Sequence, residues 1–253
     1  MHKVCFKLIV FFLALCFSNL LLGDEISDKI HLAEEYYAQG EYSKAIYFYQ
    51  VVLNKDPRNV VAYKEIGDCY FRLKEYNKAL ENYKKVEWLQ ANSINYRLGL
   101  THYFMGDYEK AKDYLLQALK MDAKKENVNY YLARIYDYQK NDKAALRCYL
   151  KEVRISPLEE NYLNLARYYQ KMGRYDKTIS TIDITVKKFP KSGEAYLVYA
   201  ELAEMKNFKD KAIDSYRKAA QLGNGKAQLW MEKKGYPWQK EKTFFDRLKF
   251  WKK

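Results

Sequence analysis

Residues 106–111 read GDYEKA, and close variants of this phrase recur along the chain. The other five are GEYSKA at residues 40–45, KEYNKA at 74–79, NDKAA at 141–145, GRYDKT at 173–178 and NFKDKA at 207–212. The last residues of the six phrases follow one another at intervals of 32 to 34 positions. A fixed period of this length indicates a repeat architecture in which each repeat is one supersecondary unit.

Each phrase predicts the turn between two amphipathic helices. A small residue stands twelve positions before the end of every phrase, at Ala33, Gly67, Gly99, Ala133, Ala166 and Ala200. Small side chains at a fixed place allow two antiparallel helices to approach closely. Pro57, Pro157 and Pro190 stand twelve positions after the ends of their phrases, where proline stops one helix before the next begins.

The pattern resembles the tetratricopeptide repeat family. The first repeat carries the family's features as Leu32-Ala33, Tyr36, Gly40-Glu41-Tyr42, Ala45, Tyr49, Val52 and Pro57. The resemblance implies an all-α, right-handed superhelical solenoid of antiparallel helix pairs over residues 26–224. Its six units are expected at about 26–59, 60–91, 92–125, 126–158, 159–192 and 193–224.

The C-terminal end of the solenoid carries two further signals. The last unit reads SYRKAAQLGN at residues 215–224, which is similar to the Sel1-like subclass with the same helix-pair architecture. Residues 225–236 are expected to form a capping helix that stops at Gly235, because an open-ended stack needs a solvated end.

Residues 1–23 have the layout of a signal peptide or N-terminal anchor. Lys3 and Lys7 precede a largely apolar run from Leu8 to Leu22, and Asp24-Glu25 follow. Cleaved export, an uncleaved anchor and lipidation at Cys16 are the three interpretations, in that order of preference. The sequence thus resembles an exported bacterial member of the repeat family, periplasmic or envelope-associated and, with an uncleaved N-terminus, membrane-anchored.

By resemblance to the family, positions 5, 9, 12 and 13 of each unit line a concave groove. The groove residues so implied are Tyr37, Lys64, Asp68, Phe71, Arg72, Tyr96, Leu100, Tyr103, Phe104, Tyr130, Arg134, Asp137, Tyr138, Arg167 and Lys171. Tyr and Arg offer large contact area with polar groups, which suits a peptide-binding surface. The alternative is that several of these tyrosines only pack between helices. The chaperone-binding subclass clamps a carboxylate at such positions, but Asp68 beside Lys64 would repel one.

Residues 237–253 predict a basic amphipathic tail. Phe244, Phe245, Leu248 and Trp251 fall on one side of a helical wheel, and residues 240–253 carry a net charge of +4. Such a helix suits an anionic membrane surface or a partner's groove. The equally favoured alternative is that the tail folds back and covers the last repeat.

Composition excludes several classes of protein. With 253 residues, 49% hydrophobic, and only 10 Gly and 4 Pro, the chain is neither disordered nor collagen-like. Its formal charge of +13 is compatible with an acidic partner, an anionic membrane or nucleic acid. Export and the mixed charges of the groove argue against nucleic acid.

No catalytic, cofactor-binding or metal-binding residues are predicted. His2, His31 and His102 lie in separate segments, and no metalloprotease, phosphate-loop, dinucleotide or nucleophile-elbow motif occurs. Cys69 and Cys148 are expected to be buried free thiols. The sequence therefore predicts a non-enzymatic scaffold or adaptor at the cell envelope that binds a protein or peptide and no small-molecule substrate. The alternative is a membrane-associated structural or assembly factor held by the tail or the uncleaved N-terminus.

Overall fold

The computed structural model describes residues 25–89 and 94–239, and no strand occurs within these ranges. The first helix, α1, spans residues 25–38. The others are α2 Tyr42–Lys55, α3 Val60–Arg72, α4 Tyr76–Trp88, α5 Asn95–Phe104, α6 Tyr108–Met121, α7 Val128–Tyr138, α8 Asp142–Ile155, α9 Glu159–Lys171, α10 Tyr175–Lys188, α11 Gly193–Met205, α12 Lys209–Gln221 and α13 Gly225–Lys233. The predicted all-α helical-repeat fold is confirmed.

The chain divides into two compact units. Unit 1 is Met1–Ala123 and holds α1 to α6, and unit 2 is Lys124–Lys253 and holds α7 to α13. Successive helices pair across short turns, so that α3 packs on α4 and α9 on α10. We call the first helix of each pair its A helix (α1, α3, α5, α7, α9 and α11) and the second its B helix.

The turns inside the helix pairs require a left-handed residue. Gly106 has a φ of +82°, and Lys74 and Lys140 occupy the equivalent place with φ of +62° and +56°. The backbone N–H that follows closes the helix, as when Asp107 N–H donates to the His102 carbonyl at 2.9 Å. A left-handed residue directly after a helix is a common C-terminal cap, and glycine adopts it without steric cost.

Close packing inside each pair explains the small residues of the A helices. A Cβ added to Gly67 would lie 2.4 Å from the Tyr83 ring, and one on Gly99 would lie 2.8 Å from Leu115. Neither position has room for a methyl group. The Tyr83 and Leu115 side chains are themselves fully buried.

The cores run between successive helices. In unit 1, one cluster joins Ala33, Tyr49, Ile66 and Cys69, and the next centres on Tyr83. In unit 2, two clusters join the helices from α9 to α13. Cys69 and Cys148 are free and buried, as predicted.

Among the described residues of unit 2, Glu152 is the one buried carboxylate. Glu152 on α8 is 1% exposed, and its Oε1 accepts a hydrogen bond from the Asn127 backbone N–H at 2.6 Å, beside the start of α7. Burial raises the pKa of Glu152 above its ordinary value, and the nearby backbone N–H groups offset only part of this. The charge of Glu152 thus opposes folding at neutral pH.

The last helix closes the core of unit 2. Met231 of α13 is fully buried, and the Trp230 ring stacks on Tyr216 with centroids 3.9 Å apart. Tyr236 and Trp238 pack against the same cluster. Residues 1–23 and the tail residues Phe244, Phe245, Leu248 and Trp251 lie outside the described residues. Among the described helices, none combines the length and apolar composition of a membrane-spanning segment.

Candidate partner-binding faces

The A helices of unit 1 present one face, on which neighbouring repeats are joined by side-chain hydrogen bonds. Arg72 Nε on α3 donates to the Tyr37 hydroxyl on α1 at 3.2 Å. This bond, in which a guanidinium is the donor, raises the pKa of Arg72. Two of the predicted groove residues are therefore brought together, and each holds the other in place.

Asp68 on α3 is the polar centre of this face. Arg97 Nε on α5 donates to both of its carboxylate oxygens, at 2.6 and 2.9 Å. The Tyr83 hydroxyl on α4 donates to Oδ1 at 2.6 Å. Burial, and then the Asp68 charge, raise the pKa of Tyr83. Arg97 thus offsets the negative charge of Asp68, which was the reason given above against the binding of a carboxylate.

Rings from two repeats meet beside this polar centre. Phe71 lies edge-on to Tyr76 and to Phe104, with each pair of centroids 5.5 Å apart. Phe104 also contacts Tyr103 at 5.3 Å, and Tyr103 contacts Tyr108 at 5.6 Å. We call these five rings the aromatic cluster. Because Phe104 remains 45% exposed, the cluster presents apolar surface to solvent.

The remaining predicted residues of unit 1 lie on the same helices. Lys64 Nζ is 2.6 Å from the carboxylate of its neighbour Glu65. Tyr96 and Leu100 on α5 are half-buried. In unit 1 some rings thus pack between helices, as Phe71 does on Phe104, and some surface of Phe104 still reaches solvent. The assignment of these residues to a binding groove stays a prediction.

Ion pairs also join the A helices of neighbouring repeats in unit 2. Lys171 Nζ on α9 lies 2.5 Å from Asp137 Oδ1 on α7. Arg167 on α9 pairs with Glu194 on α11, whose other oxygen accepts from Asn224 Nδ2 at 2.7 Å. These pairs join three successive repeats of unit 2.

Tyr130 and Arg134 form a local pair on α7. Arg134 Nη1 donates to the Tyr130 hydroxyl at 3.1 Å, and the guanidinium lies 5.9 Å from the ring centroid. Tyr138 at the end of the same helix is 69% exposed. Unit 2 thus offers amphipathic tyrosine surface at α7.

Sequence reasoning missed three partners of the predicted residues, namely Tyr83 and Arg97 on Asp68 and Glu194 on Arg167, and it also missed Asn224, which donates to Glu194. A signal for two of them was available, because the pairs that join A helices are separated by 27 to 35 residues, about one repeat. A search for opposite charges at that separation identifies Arg97 as the partner of Asp68 and Glu194 as the partner of Arg167. Tyr83 and Asn224 follow only from the packed helices.

The described residues hold no group of three His, Cys, Asp or Glu side chains able to bind a metal ion. His102 is buried and stacks on Tyr114 with centroids 5.6 Å apart. Burial lowers the pKa of His102, although Asp107 lies 3.4 Å from its Nδ1. What the two faces offer chemically is stacking, hydrogen bonding and charge.

Comparisons with known proteins agree with this architecture. Tetratricopeptide repeat models match residues 93–125 in one case and residues 31–92 and 163–227 in another, together more than half of the chain. The protein O-mannosyl-transferase TMTC1 of Homo sapiens is 28% identical over 182 residues, which are 69% of this chain and 20% of that protein. The chain spans between a fifth and two fifths of the first curated relatives it matches.

Two solved structures illustrate the likeness in fold. PilF of Pseudomonas aeruginosa superposes with a TM-score of 0.67 at 19% identity, over 84% of this chain and 99% of that one. YrrB, described as a TPR protein with an unusual peptide-binding site, gives a TM-score of 0.55 at 18% identity, over 73% of this chain and 97% of that one. The repeat period, the helix pairs and the matching models together show that the chain belongs to the tetratricopeptide repeat family.

Proposed function

We propose that this protein is a non-enzymatic interaction scaffold that binds a partner protein or peptide on the A-helix faces of its units. The observation that carries the proposal is the aromatic cluster, where Phe104 remains exposed beside a fixed polar centre. Large rings on a preformed surface are the usual anchors of protein interfaces.

The hydrogen bonds behind the cluster support the same proposal. Arg97, Asp68 and Tyr83 fix α3, α4 and α5 to one another. A face that is already ordered loses little conformational freedom when a partner binds, so more of the contact energy appears as affinity. We infer that the partner inserts an apolar side chain at Phe104 and hydrogen-bonds at the rim.

Relatives support a binding role in general terms. YrrB is described by its peptide-binding site, which favours the same use of the fold here. The transferase TMTC1 is matched over 20% of its length, so its activity is not proposed for this chain. Neither a nucleic acid nor a small-molecule substrate is part of the proposal.

We further propose that the scaffold is exported and acts at the cell envelope. The basis is residues 1–23, with two lysines before an apolar run. Fractionation of cells, with the mass of the recovered chain, tests this. Recovery in the periplasm or a membrane fraction supports export, and recovery in the cytosol overturns it.

A second candidate function is a membrane-associated assembly factor held by the tail or an uncleaved N-terminus. The four apolar residues on one side of the tail and its charge of +4 favour it. The deletion that tests the tail should begin at residue 240, because Tyr236 and Trp238 belong to the core of unit 2. Unchanged binding to vesicles containing anionic lipid after deletion would exclude the tail version.

In-cell crosslinking followed by affinity capture tests the interaction scaffold. The variant is Tyr103→Ala/Phe104→Ala on the A-helix face of unit 1, and the matched control is Tyr47→Ala/Trp88→Ala, two exposed rings on B helices. Loss of a discrete partner in the first variant only, with helical circular dichroism unchanged, supports the proposal. Capture of the same partner by both variants contradicts it.

A further inference from the structure

A second candidate surface lies in unit 2, at the turns rather than on the A-helix face. The turn and first residues of α10, 173–179, meet the end of α11 and the turn that follows it, 202–208, around a pocket of about 580 Å³. We call these two segments the turn edge. Its residues come from two successive repeats, so only the fold brings them together.

The turn edge has an apolar floor. Leu202 and Ile179 line the pocket, and Phe208 beside them is 56% exposed. Phe208 stands at the position before α12, where its side chain makes no capping hydrogen bond. An exposed ring over an aliphatic floor suits an apolar side chain of a partner.

Cations surround this floor. Arg174, Lys177 and Lys206 line the pocket, against one acidic residue, Asp176. The Lys206 ammonium lies 4.1 Å from the centroid of the Tyr175 ring. None of the three cations forms an ion pair with another residue in the described part of the chain. Their charge is therefore available to an anionic ligand.

The corresponding place in unit 1 differs in charge. A pocket of about 500 Å³ lies between residues 74–78 and Met105. There Lys78 Nζ is 2.6 Å from the Glu75 carboxylate, so one of the two lysines that line this pocket is paired within the turn. The cationic turn edge is thus not a general consequence of the repeat, which indicates a specific use in unit 2.

We propose that the turn edge of unit 2 binds an acidic segment of a partner protein that carries a large apolar side chain. The apolar side chain contacts Phe208, Ile179 and Leu202, and flanking carboxylates lie against Arg174, Lys177 and Lys206. The apolar floor favours a peptide over a nucleic acid backbone. The chain's own residues 240–253 are excluded as the occupant by their net charge of +4. This site is separate from the A-helix faces, so it does not depend on the function proposed above.

Fluorescence anisotropy with the full-length chain tests the site. The probe is a fluorescein-labelled peptide, Asp-Glu-Phe-Leu-Glu-Asp, compared with one in which Asn and Gln replace its acids and one in which Ser replaces Phe and Leu. We expect the first peptide to bind more tightly than either control, and added salt to weaken its binding because exposed charges are screened.

Matched variants locate the site. Arg174→Glu/Lys177→Glu reverses two charges at the turn edge, and Lys151→Glu/Arg154→Glu reverses two on α8 with the same change in net charge. We expect the first to raise the Kd at least about tenfold and the second by less than about threefold. Phe208→Ala should raise it about fivefold. Tyr103→Ala/Phe104→Ala should leave it unchanged, which separates this site from the face of unit 1.

Four results would overturn the proposal: no binding of the acidic peptide by the wild type, equal binding of the neutral peptide, equal losses in the two charge-reversal variants, or no effect of Phe208→Ala. Binding of a single-stranded oligonucleotide and of an anionic lipid vesicle is measured with the same variants. If either ligand binds the turn-edge variant more weakly while the peptide binds it as before, the proposal is overturned and the cations are assigned to that ligand. Helical circular dichroism of each variant confirms that it is folded.

Discussion

The A-helix faces of the two units use the same helix pairs for different surfaces. In unit 1 the ion pair between Arg97 and Asp68 is half-buried, with side chains 34% and 16% exposed, and aromatic rings reach solvent. In unit 2 the charged groups are themselves the surface, as Lys171 with Asp137 and Arg167 with Glu194. Inter-repeat ion pairs therefore serve as framework in unit 1 and as outer contacts in unit 2.

This difference has a consequence for recognition. An exposed ring can give apolar contact to a partner at once, whereas a paired lysine or arginine must first leave its own carboxylate. Exposed ion pairs contribute little to stability, so their exchange for a partner's charge is easy but gains little affinity. If the partner proposed above binds these faces, we expect unit 1 to be the stronger anchor and unit 2 to contribute specificity through charge.

The largest effect on stability is expected when the Arg97–Asp68 ion pair of unit 1 is broken. Asp68→Ala removes the acceptor of Arg97 and Tyr83 and should lower the free energy of unfolding of unit 1 by about 2–3 kcal/mol. Asp137→Ala in unit 2 should cost less than about 1 kcal/mol, because Lys171 is 61% exposed. Amide hydrogen exchange, read helix by helix, measures each unit. Equal losses of stability in the two units would contradict the proposed difference between their ion pairs.

The next effect concerns how closely the helices of unit 1 pack. Gly67→Ala places a Cβ 2.4 Å from Tyr83 and should cost about 1–3 kcal/mol. The control is Gly225→Ala at the start of α13, where an added Cβ meets nothing within 4 Å. Urea denaturation gives both values. A neutral Gly67→Ala would mean that Tyr83 moves aside freely.

Unit 2 is expected to respond to pH through Glu152. A carboxyl with a raised folded-state pKa binds more protons folded than unfolded, so stability falls as pH rises from its ordinary value of 4.5 through the raised value. Glu152→Gln removes this loss and keeps an acceptor for Asn127. Relative to wild type, the variant should gain stability between pH 4.5 and 7, by no more than about 1 kcal/mol. Thermal unfolding at several pH values measures the difference, and a constant difference would contradict the assignment.

The smallest effect belongs to the left-handed turns. Lys74→Gly in unit 1 and Lys140→Gly in unit 2 relieve a side chain held at positive φ and should each stabilise by about 0.5–1 kcal/mol. Gly106→Ala, at the equivalent turn, should destabilise. Melting temperatures of the three variants provide the check, and a loss of stability in both lysine variants would show that the lysine side chains have another role.

Much of the fold followed from residue spacing. One period relates the small residues of the A helices, the turn phrases and the three prolines, because the two helices of each repeat pack together in the same way. Gly67 illustrates this, since its place in the pattern is explained by the Tyr83 ring against it.

The candidate sites were less accessible from sequence. Arg72 and Lys171 were identified as groove cations, but which carboxylate or hydroxyl each one meets depends on rotamers and on the offset between neighbouring helices. The turn edge was not anticipated, because Arg174 and Phe208 stand 34 positions apart and neither occupies an A-helix groove position. Their proximity arises only when two turns stack.

Site-specific photocrosslinking in the cell tests the central claim most directly. A photoreactive phenylalanine analogue is placed at Phe104 on the face of unit 1, at Tyr138 on the face of unit 2, and at Trp88 on a B helix, all exposed. We predict one discrete crosslinked partner from position 104, the same partner more weakly from 138, and none from 88. Crosslinks from 88 alone, or equal crosslinks from all three, would contradict binding on the A-helix faces.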